Sequence, residues 1–270
     1  MKNTTVAIAG LGAIGFSVAR SLDQGKIPGF ELIAVSSRDI EKARQTVSTF
    51  DTIPPVRQTP ADLVEADIII EAAPAAAFLE IARPAVAAGR TLIACSGGAL
   101  MRNMELVEQA QRSAARIIVP TGAIIGLDAV RAAAQGTIHS AVIETRKAPK
   151  GWVGAPHLIA HEVQLEDLSE PLCIFEGNAL DAAVGFPANV NVAAALAMAG
   201  IGPEKTQVRL FADPGVQRNT HHISVDSDIA RFSMTIEGIP NPENPRTGLL
   251  TPLSVIACLR SLRDTLRIGS

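Results

Sequence analysis

Three glycines near the start of the chain have the spacing of a pyrophosphate-binding turn. They lie in Gly10-Leu-Gly-Ala-Ile-Gly15, between an apolar run at residues 6–9 and a segment of helical spacing that begins at Phe16. In such a strand–turn–helix unit, the first glycine permits the tight turn, the second leaves room for the phosphates, and the third lets the helix pack on the strand. The helix N-terminus adds N–H groups that favour an anion. We therefore predict that a dinucleotide contacts Gly10, Gly12, Ala13, Ile14 and Gly15.

The end of the predicted second strand, residues 30–35, bears on the choice of dinucleotide. NAD-binding units carry an acidic residue here that binds the ribose 2′-OH. This chain instead has Ser37 and Arg38, and the nearest acid, Asp39, comes a few residues late. Hydroxyls and a guanidinium suit the 2′-phosphate of NADP, but Arg38 is equally well explained as an exposed charge at a helix start. The sequence leaves NAD and NADP open.

The predicted strand at residues 66–74 ends in small residues. Ala73 and Pro74 would leave room for the ribose on the nicotinamide side of the dinucleotide. The next strand ends in Cys95-Ser-Gly-Gly98, which could present a nucleophilic thiol on a loop. No neighbouring His or Lys is visible that would lower the pKa of this thiol, so a core cysteine is the favoured interpretation.

Composition excludes several classes of protein. The chain has 270 residues, enough for about two domains. With 47% hydrophobic and 19% charged residues it is typical of a compact, folded protein. A net charge of −3 argues against a nucleic-acid partner, and no apolar run has the ~20 residues of a membrane span.

The cysteines and the N-terminus bear on the compartment. Three scattered cysteines are too few for a disulfide framework or a metal site, and their odd number fits a reducing compartment. Lys2 and the apolar stretch after it superficially resemble a signal peptide. Cleavage there would remove the glycine turn, so we predict a cytoplasmic protein.

Strands and helices alternate about every thirty residues up to residue 120, which predicts a Rossmann-type, doubly wound parallel sheet. Beyond this point, residues 137–147 alternate like a half-buried strand, and three more strands are predicted at 206–212, 221–225 and 229–236. Helices are predicted at 178–184 and 189–199, whereas 152–175 lack a clear period and are expected to form an exposed, mobile excursion. The predicted fold is therefore α/β, with a second α+β domain on a mostly antiparallel open sheet. We place the dinucleotide-binding domain at 1–120, the catalytic and dimerisation domain at 121–245, and a C-terminal helix within 246–270 that returns to the first domain.

Several longer motifs carry a family resemblance that runs nearly end to end. The chain resembles the L-aspartate dehydrogenases in Gly10–Gly15, Thr121-Gly-Ala-Ile-Ile-Gly-Leu-Asp-Ala129, Thr145-Arg-Lys-Ala-Pro-Lys-Gly151, Phe175-Glu-Gly-Asn178, Phe186-Pro-Ala-Asn-Val-Asn-Val-Ala193, Asn219-Thr-His-His-Ile223 and Asn244-Pro-Arg-Thr-Gly-Leu249. The resemblance implies a homodimer that uses NAD or NADP. It also implies reversible deamination of L-aspartate to iminoaspartate, oxaloacetate and ammonia, a reaction that could feed NAD biosynthesis. It places Ala123 and Asn189 in the cofactor site and the catalytic histidine at His221.

The residues support His221 independently of the resemblance. Deamination needs a group that moves protons near neutral pH, and histidine is the side chain with that pKa. On a strand, His221, Ile223 and Val225 share one face, whereas His222 lies on the other. The apolar face should be packed, so we expect His221 to point toward the cleft side and His222 toward water. A core histidine bonded to the backbone is the structural alternative.

A dicarboxylate substrate needs cationic or N–H donors. Candidates near the predicted cleft are Thr121, Gly122, Arg146, Lys147 and Arg218, although solvent-facing charges would look the same in sequence. Asn189 is expected at the start of its helix, where it could bind the nicotinamide carboxamide, cap the helix, or both.

Two other functions remain open at this stage. A reductase of the dihydrodipicolinate or homoserine dehydrogenase type shares the two-domain layout. The former would carry a lysine a few residues after the histidine pair and a Ser-Gly-Thr loop, whereas Ile-Ser-Val-Asp follows here. A non-catalytic dinucleotide sensor would need neither a placed histidine nor Asn189.

Overall fold

The computed structural model describes residues 3–241 and 244–268 and divides the chain into two compact units. The first contains Met1–Pro120 and Pro252–Ile268, and the second contains Thr121–Thr251. Among the described residues, no helix is both long and apolar enough to cross a bilayer.

The first unit is built on a six-stranded parallel sheet, which confirms the predicted doubly wound fold. Its strand order is β3-β2-β1-β4-β5-β6, so the order reverses between β1 and β4. The continuous Val and Ile runs of β1 and β4 are buried, as expected for a parallel sheet covered on both faces. The elements are β1 Thr4–Ala9, α1 Ala13–Asp23, β2 Phe30–Ser36, α2 Ile40–Val47, β3 Val56–Arg57, β4 Ile68–Glu71, α3 Phe78–Ala87, β5 Thr91–Ala94, α4 Gly97–Met101, α5 Glu105–Ser113 and β6 Arg116–Ile118.

One predicted helix of this unit is divided in two. The sequence favours a single helix over residues 101–115, but α4 ends at Met101 and α5 begins at Glu105. The Asn103 side chain donates a hydrogen bond to the Ala99 carbonyl at 2.8 Å, which satisfies an acceptor at the end of α4. The Ser-Gly-Gly stretch, expected to be a loop, forms the start of α4.

The second unit is a five-stranded open sheet in the order β11-β10-β7-β9-β8. Only β7 and β9 pair in parallel in this sheet, which agrees with the predicted, mostly antiparallel arrangement. The elements are α6 Leu127–Ala133, β7 Ile138–Lys147, α7 Pro156–Ala160, β8 Leu172–Asn178, α8 Ala179–Gly185, α9 Asn191–Ala199, β9 Gln207–Ala212, β10 Asn219–Ser227, β11 Arg231–Gly238, β12 Pro240–Asn241 and β13 Asn244–Gly248.

The prediction of an exposed excursion at residues 152–175 is correct for only part of the segment, since most of residues 159–173 are exposed but others are buried. Trp152 is fully buried and its indole N–H donates to the Phe211 carbonyl at 3.0 Å. The segment also contains α7 and the first residues of β8, an edge strand of the sheet. A register shift between Cys173 and Phe175 interrupts the alternation of β8, so a period-two pattern is absent from its sequence.

The end of the chain forms a hairpin and a helix. The Pro-rich stretch at residues 240–245 includes β12 and the first residues of its partner strand β13, and residues 242–243 lie outside the described part of the chain. The sequence favours a helix body at residues 253–266, and helix α10, Leu250–Ser261, begins and ends a few residues earlier. Its Val255 and Leu259 belong to the hydrophobic core of the first unit. The Arg260 guanidinium donates to the Lys26 carbonyl at 2.7 Å, which further fixes the helix.

Gly15 is required for packing in the first unit. A Cβ added at Gly15 would overlap the Gly10 carbonyl oxygen, whereas one added at Gly12 would meet no atom within 4 Å. We expect Gly15→Ala to lower the free energy of unfolding by about 1–3 kcal/mol or more, as overpacking does. Thermal denaturation of Gly15→Ala and of the control Gly12→Ala measures this. Equal melting temperatures for the two variants would contradict the packing role.

Candidate functional site

The glycine turn of the first unit has the form that a pyrophosphate requires. Gly10 has a positive φ of +94°, and a Cβ there would lie 2.7 Å from the Ala72 carbonyl oxygen, so the chain passes close to the backbone that follows β4. Gly12 precedes α1 as its N-cap and has no side chain to bind the N–H groups of the first turn, those of Ala13, Ile14 and Gly15. The open space at Gly12 therefore adjoins free donors and a helix N-terminus, which fits an anionic group.

The segment after β2 holds the residues that were predicted to contact the ribose. Ser37 is half-buried and Arg38 is exposed. Asp39 is the N-cap of α2, and its carboxylate accepts a hydrogen bond from the Lys42 N–H at 3.0 Å. The late acid thus has a structural role, because it satisfies a donor that the helix would otherwise leave unpaired.

The edge of the sheet at β4 and β5 contains a buried acid that sequence reasoning missed. Glu71 is fully buried at the end of β4, immediately before the segment with Ala73 and Pro74. Its two carboxylate oxygens accept hydrogen bonds from the N–H and the hydroxyl of Ser96, each at 2.9 Å. Burial raises the pKa of Glu71 to about 7, although the bonds from Ser96 act in the opposite direction. Its signal in the sequence is one acid that ends an otherwise apolar strand.

Cys95, beside Ser96, is a poor nucleophile. Burial raises the pKa of its thiol well above the usual value, and the nearby Glu71 and Cys258 act in the same direction. This supports the favoured interpretation of Cys95 as a core cysteine, because the thiolate is the reactive form.

In the second unit, the side chain of His221 is buried on the packed face of β10. It is 3% exposed, and Ile223 and Val225 on the same face are also buried, while His222 is exposed. This alternation agrees with the predicted faces. His221 pairs in register with Thr145 of β7, and the His221 Nδ1 lies 2.9 Å from the Thr145 hydroxyl oxygen. Burial, together with the nearby Lys147 ammonium, lowers the pKa of His221 to about 3.

Lys147 lies on the same face of β7 as Thr145 and is 3% exposed. Its Nζ donates to the Asn189 side-chain oxygen at 3.1 Å and lies 5.1 Å from the centre of the Trp152 ring. No carboxylate of the described residues forms an ion pair with Lys147, and burial lowers its pKa to about 8. His221, Thr145, Lys147 and Trp152, all buried, and the half-buried Asn189 therefore form one cluster, which we call the His221 cluster.

Asn189 does not begin its helix. It lies in the turn before α9, whose N-cap is Val190, so the predicted helix-cap role was wrong. Its side-chain oxygen is instead directed at Lys147. Sequence reasoning also missed Thr145 and Trp152. The strand alternation of β7 places Thr145 beside Lys147, and Trp152 falls in the segment that was expected to be exposed.

Arg146 is on the opposite face of β7 from the His221 cluster. Its guanidinium forms ion pairs with Glu144 at 2.8 Å and Asp213 at 3.2 Å, and it stacks over the Phe211 ring. Arg218 is exposed just before β10. Thr121, Gly122 and Ala123 occupy the loop that precedes α6, where the Thr121 carbonyl accepts from the Ile124 N–H. Of the predicted cations, only Lys147 joins His221.

Known proteins are similar to this chain along almost its whole length. Residues 128–262 match the family model described as aspartate dehydrogenase, C-terminal. An L-aspartate dehydrogenase of Bradyrhizobium diazoefficiens is 50% identical over 267 residues, which cover 98% of this chain and 94% of that protein. The chain belongs to the aspartate dehydrogenase family. Another member, from Methanosarcina mazei, is 36% identical over 98% of this chain and 99% of its own length.

Further matches indicate the cofactor and the fold. Residues 10–120 match the model described as homoserine dehydrogenase, NAD binding domain, so this aspartate dehydrogenase family member uses NAD(P). The crystal structure of aspartate dehydrogenase from Thermotoga maritima superposes with a TM-score of 0.75 at 26% identity, covering 99% of this chain and 100% of that one. A homoserine dehydrogenase from Thiobacillus denitrificans has a TM-score of 0.59 at 14% identity, covering 100% of this chain and 76% of that one, and shares the fold.

The low pKa of His221 predicts an acid-dependent loss of stability. Between its ordinary value of 6.5 and about 3, the unfolded state binds a proton at this histidine that the folded state does not. Stability therefore falls as the pH falls through this range. The free energy of unfolding of His221→Asn is measured by urea unfolding between about pH 6 and pH 4. Its slope against pH should be smaller than that of the wild type by up to about 1.4 kcal/mol per pH unit. His222→Asn, on the exposed face, is the control. The prediction fails if both variants keep the wild-type slope.

Proposed function

We propose that the chain is an NAD(P)-dependent L-aspartate dehydrogenase and that the His221 cluster is its substrate site. The observation that carries the proposal is the juxtaposition, on one sheet face, of a buried His221 with a buried Lys147 ammonium that forms no ion pair with a carboxylate of the described residues. A buried charge without a counter-ion is costly, so the site favours an anionic ligand. Membership of the aspartate dehydrogenase family and the family match over residues 128–262 support aspartate as that ligand.

The role that we propose for His221 follows from its protonation state. In the ligand-free chain, burial and the Lys147 ammonium lower the pKa of His221 to about 3, so its ring is neutral. A carboxylate bound at Lys147 would offset the ammonium charge and raise this pKa toward the range in which a general base works best. The contact with Thr145 orients the ring through Nδ1, which leaves Nε2 as the atom that faces a substrate. We assign His221 the role of general base that activates the water attacking the imine, with release of ammonia and oxaloacetate. The bound nicotinamide supplies the acceptor for the hydride of the substrate α-carbon.

Lys147 is proposed to bind one substrate carboxylate. Arg146 is already neutralised by Glu144 and Asp213 on the other face, so it is the weaker candidate. The other carboxylate needs a separate donor, for which the Thr121, Gly122 and Ala123 loop and Arg218 remain the candidates. Asn189 holds the Lys147 ammonium through its side-chain oxygen, and its amide N–H₂ remains available for the nicotinamide carboxamide.

The substrate assignment predicts selectivity by length. Glutamate has one more methylene, which displaces its distal carboxylate, and alanine lacks that carboxylate altogether. We expect kcat/KM for aspartate to exceed the values for both by about 100-fold or more. An assay of nicotinamide absorbance against amino acids, hydroxy acids and cyclic imines measures it. Turnover only of a hydroxy acid or a cyclic imine would favour the alternative reductases, and no turnover of any substrate would favour a dinucleotide sensor.

The same assay tests the carboxylate anchor. Lys147→Gln should lower kcat/KM for aspartate about 10- to 150-fold, the range of a lost charge-assisted hydrogen bond of ~1.5–3 kcal/mol. Arg146→Gln, the matched change at the neighbouring position, should affect aspartate much less. A larger loss for the Arg146 variant would exclude the assignment.

Replacing each histidine in turn shows which of the two is the general base. His221→Ala should lower kcat by about two to four orders of magnitude, the usual contribution of general acid–base catalysis. His222→Ala should have a much smaller effect, because His222 lies on the exposed face with its Nδ1 2.8 Å from the Thr235 hydroxyl. Steady-state kinetics of both variants decides this. If His222→Ala were the more damaging change, the base would lie on the other face.

We also propose that NADP is accepted at least as well as NAD. The supporting observations are the exposed Arg38 after β2 and the commitment of Asp39 to capping α2. Arg38→Ala should raise KM for NADP far more than for NAD, because only NADP carries the 2′-phosphate that a guanidinium would bind. Equal changes for the two cofactors would contradict this. Asp39→Ala is not a suitable control because it removes a helix cap, so Arg44→Ala, within the exposed part of α2, is used instead.

The family resemblance further supports a homodimer that acts in the cytoplasm. Light scattering on the purified protein tests the homodimer, and the mass of a single chain in solution would contradict it.

A further inference from the structure

The Glu71 carboxyl lies at the edge of the sheet where a dinucleotide binds. Glu71 is the last residue of β4, and it pairs with Ala9 of β1, the residue directly before Gly10. On its other side it pairs with Ala94 of β5. The strand order reverses between β1 and β4, and in doubly wound sheets the dinucleotide crosses the carboxyl edge at that reversal. Because β2 receives the adenine half, the nicotinamide half extends toward β4 and β5.

Within the described part of the chain, the Glu71 carboxylate has no cationic ion-pair partner. Its carboxylate accepts hydrogen bonds from the N–H and the hydroxyl group of Ser96, and backbone groups of Ala73 and Cys95 also favour its charged form. No Lys, Arg or His of the described residues forms an ion pair with it, and the side chain has no contact with solvent. Screening by water is weak in such a place, so the ionised carboxylate acts on groups beyond its hydrogen-bond partner.

The two forms of the cofactor differ in charge at the ring. Oxidised nicotinamide is a cation and reduced nicotinamide is neutral. We propose that Glu71 determines the relative affinity for the two oxidation states, because its buried carboxylate favours the cationic oxidised ring over the neutral reduced ring. The role requires no contact between carboxyl and cofactor, so Glu71 is a specificity-determining residue and not a catalytic one. This inference rests on NAD(P) use by the first unit and is independent of the aspartate site.

The protonation of Glu71 makes this preference depend on pH. Burial raises its pKa to about 7, so the carboxyl changes charge in the neutral range. Among the described residues, the titratable group that interacts with Glu71 from a neighbouring element is the Cys95 thiol after β5, and the Cys258 thiol of α10 lies near Cys95 in turn. Burial raises the pKa of both thiols, that of Cys258 to about 11, so they stay uncharged there. As the pH rises through 7, Glu71 loses its proton and the oxidised form gains affinity relative to the reduced form.

Binding measurements test the proposal without any substrate. Dissociation constants of the full chain for NADH, from its fluorescence, and for NAD⁺, from competition with NADH, are measured from about pH 5.5 to pH 8.5. In the wild type, the ratio Kd(NADH)/Kd(NAD⁺) should rise about three- to tenfold with pH, tenfold being equivalent to a pKa difference of one unit between the two complexes. In Glu71→Gln, the ratio should be constant near the wild-type value at low pH. Glu31→Gln, at an exposed position of β2, should follow the wild type.

A second variant covers the case in which Glu71→Gln does not fold. Ser96→Ala removes the hydroxyl donor but keeps the carboxyl, so the Glu71 pKa rises and the midpoint of the pH dependence should move upward. Three results would each overturn the proposal. The ratio Kd(NADH)/Kd(NAD⁺) of the wild type could be constant with pH, the ratio of Glu71→Gln could keep the wild-type pH dependence, or the midpoint in Ser96→Ala could stay at the wild-type pH. A chain that shows the expected ratios but does not oxidise aspartate would contradict only the proposed function.

Discussion

Burial of the Lys147 ammonium beside His221 is the constraint on which the site in the second unit depends. An ammonium without a carboxylate partner is stable in such a place only if other groups satisfy it. Here the Asn189 oxygen and the face of the Trp152 ring do so, and both come from segments outside the strand that carries the lysine. The turn before α9 and the segment after β7 therefore both contact one cation.

The same low-dielectric environment sets the protonation of the neighbouring histidine. Desolvation disfavours the imidazolium, and the adjacent ammonium disfavours it further. His221 is consequently held as a neutral ring, and its contact with Thr145 gives that ring a defined orientation. An anion bound at Lys147 would offset the charge that holds down the basicity of His221, so ligand binding and base strength are coupled through one contact.

In the first unit, burial shifts the pKa of an acid, whereas in the second unit it shifts the pKa of two bases. Desolvation raises the pKa of Glu71 toward neutrality, as it lowers that of Lys147, because in both cases the charged form is penalised. Each unit thus contains a buried ionisable group whose charged form is disfavoured by desolvation. The close approach of the Gly10 turn to the backbone after β4 places such a group at the edge of the dinucleotide-binding sheet.

The sequence by itself determined the doubly wound sheet, the glycine turn and the faces of β10, since all three rest on local periodicity and on the steric freedom of glycine. It also determined the family, through motifs that run along most of the chain. Only the tertiary structure decided that Lys147 and not Arg146 joins His221, that Asn189 serves Lys147 and not a helix end, and that Trp152 is buried in a segment without periodicity. It likewise revealed Glu71 and Ser96 as partners. These features depend on contacts between residues far apart in the chain, and on a register shift in β8. Neither the long-range contacts nor the register shift produces a periodic pattern in the local sequence.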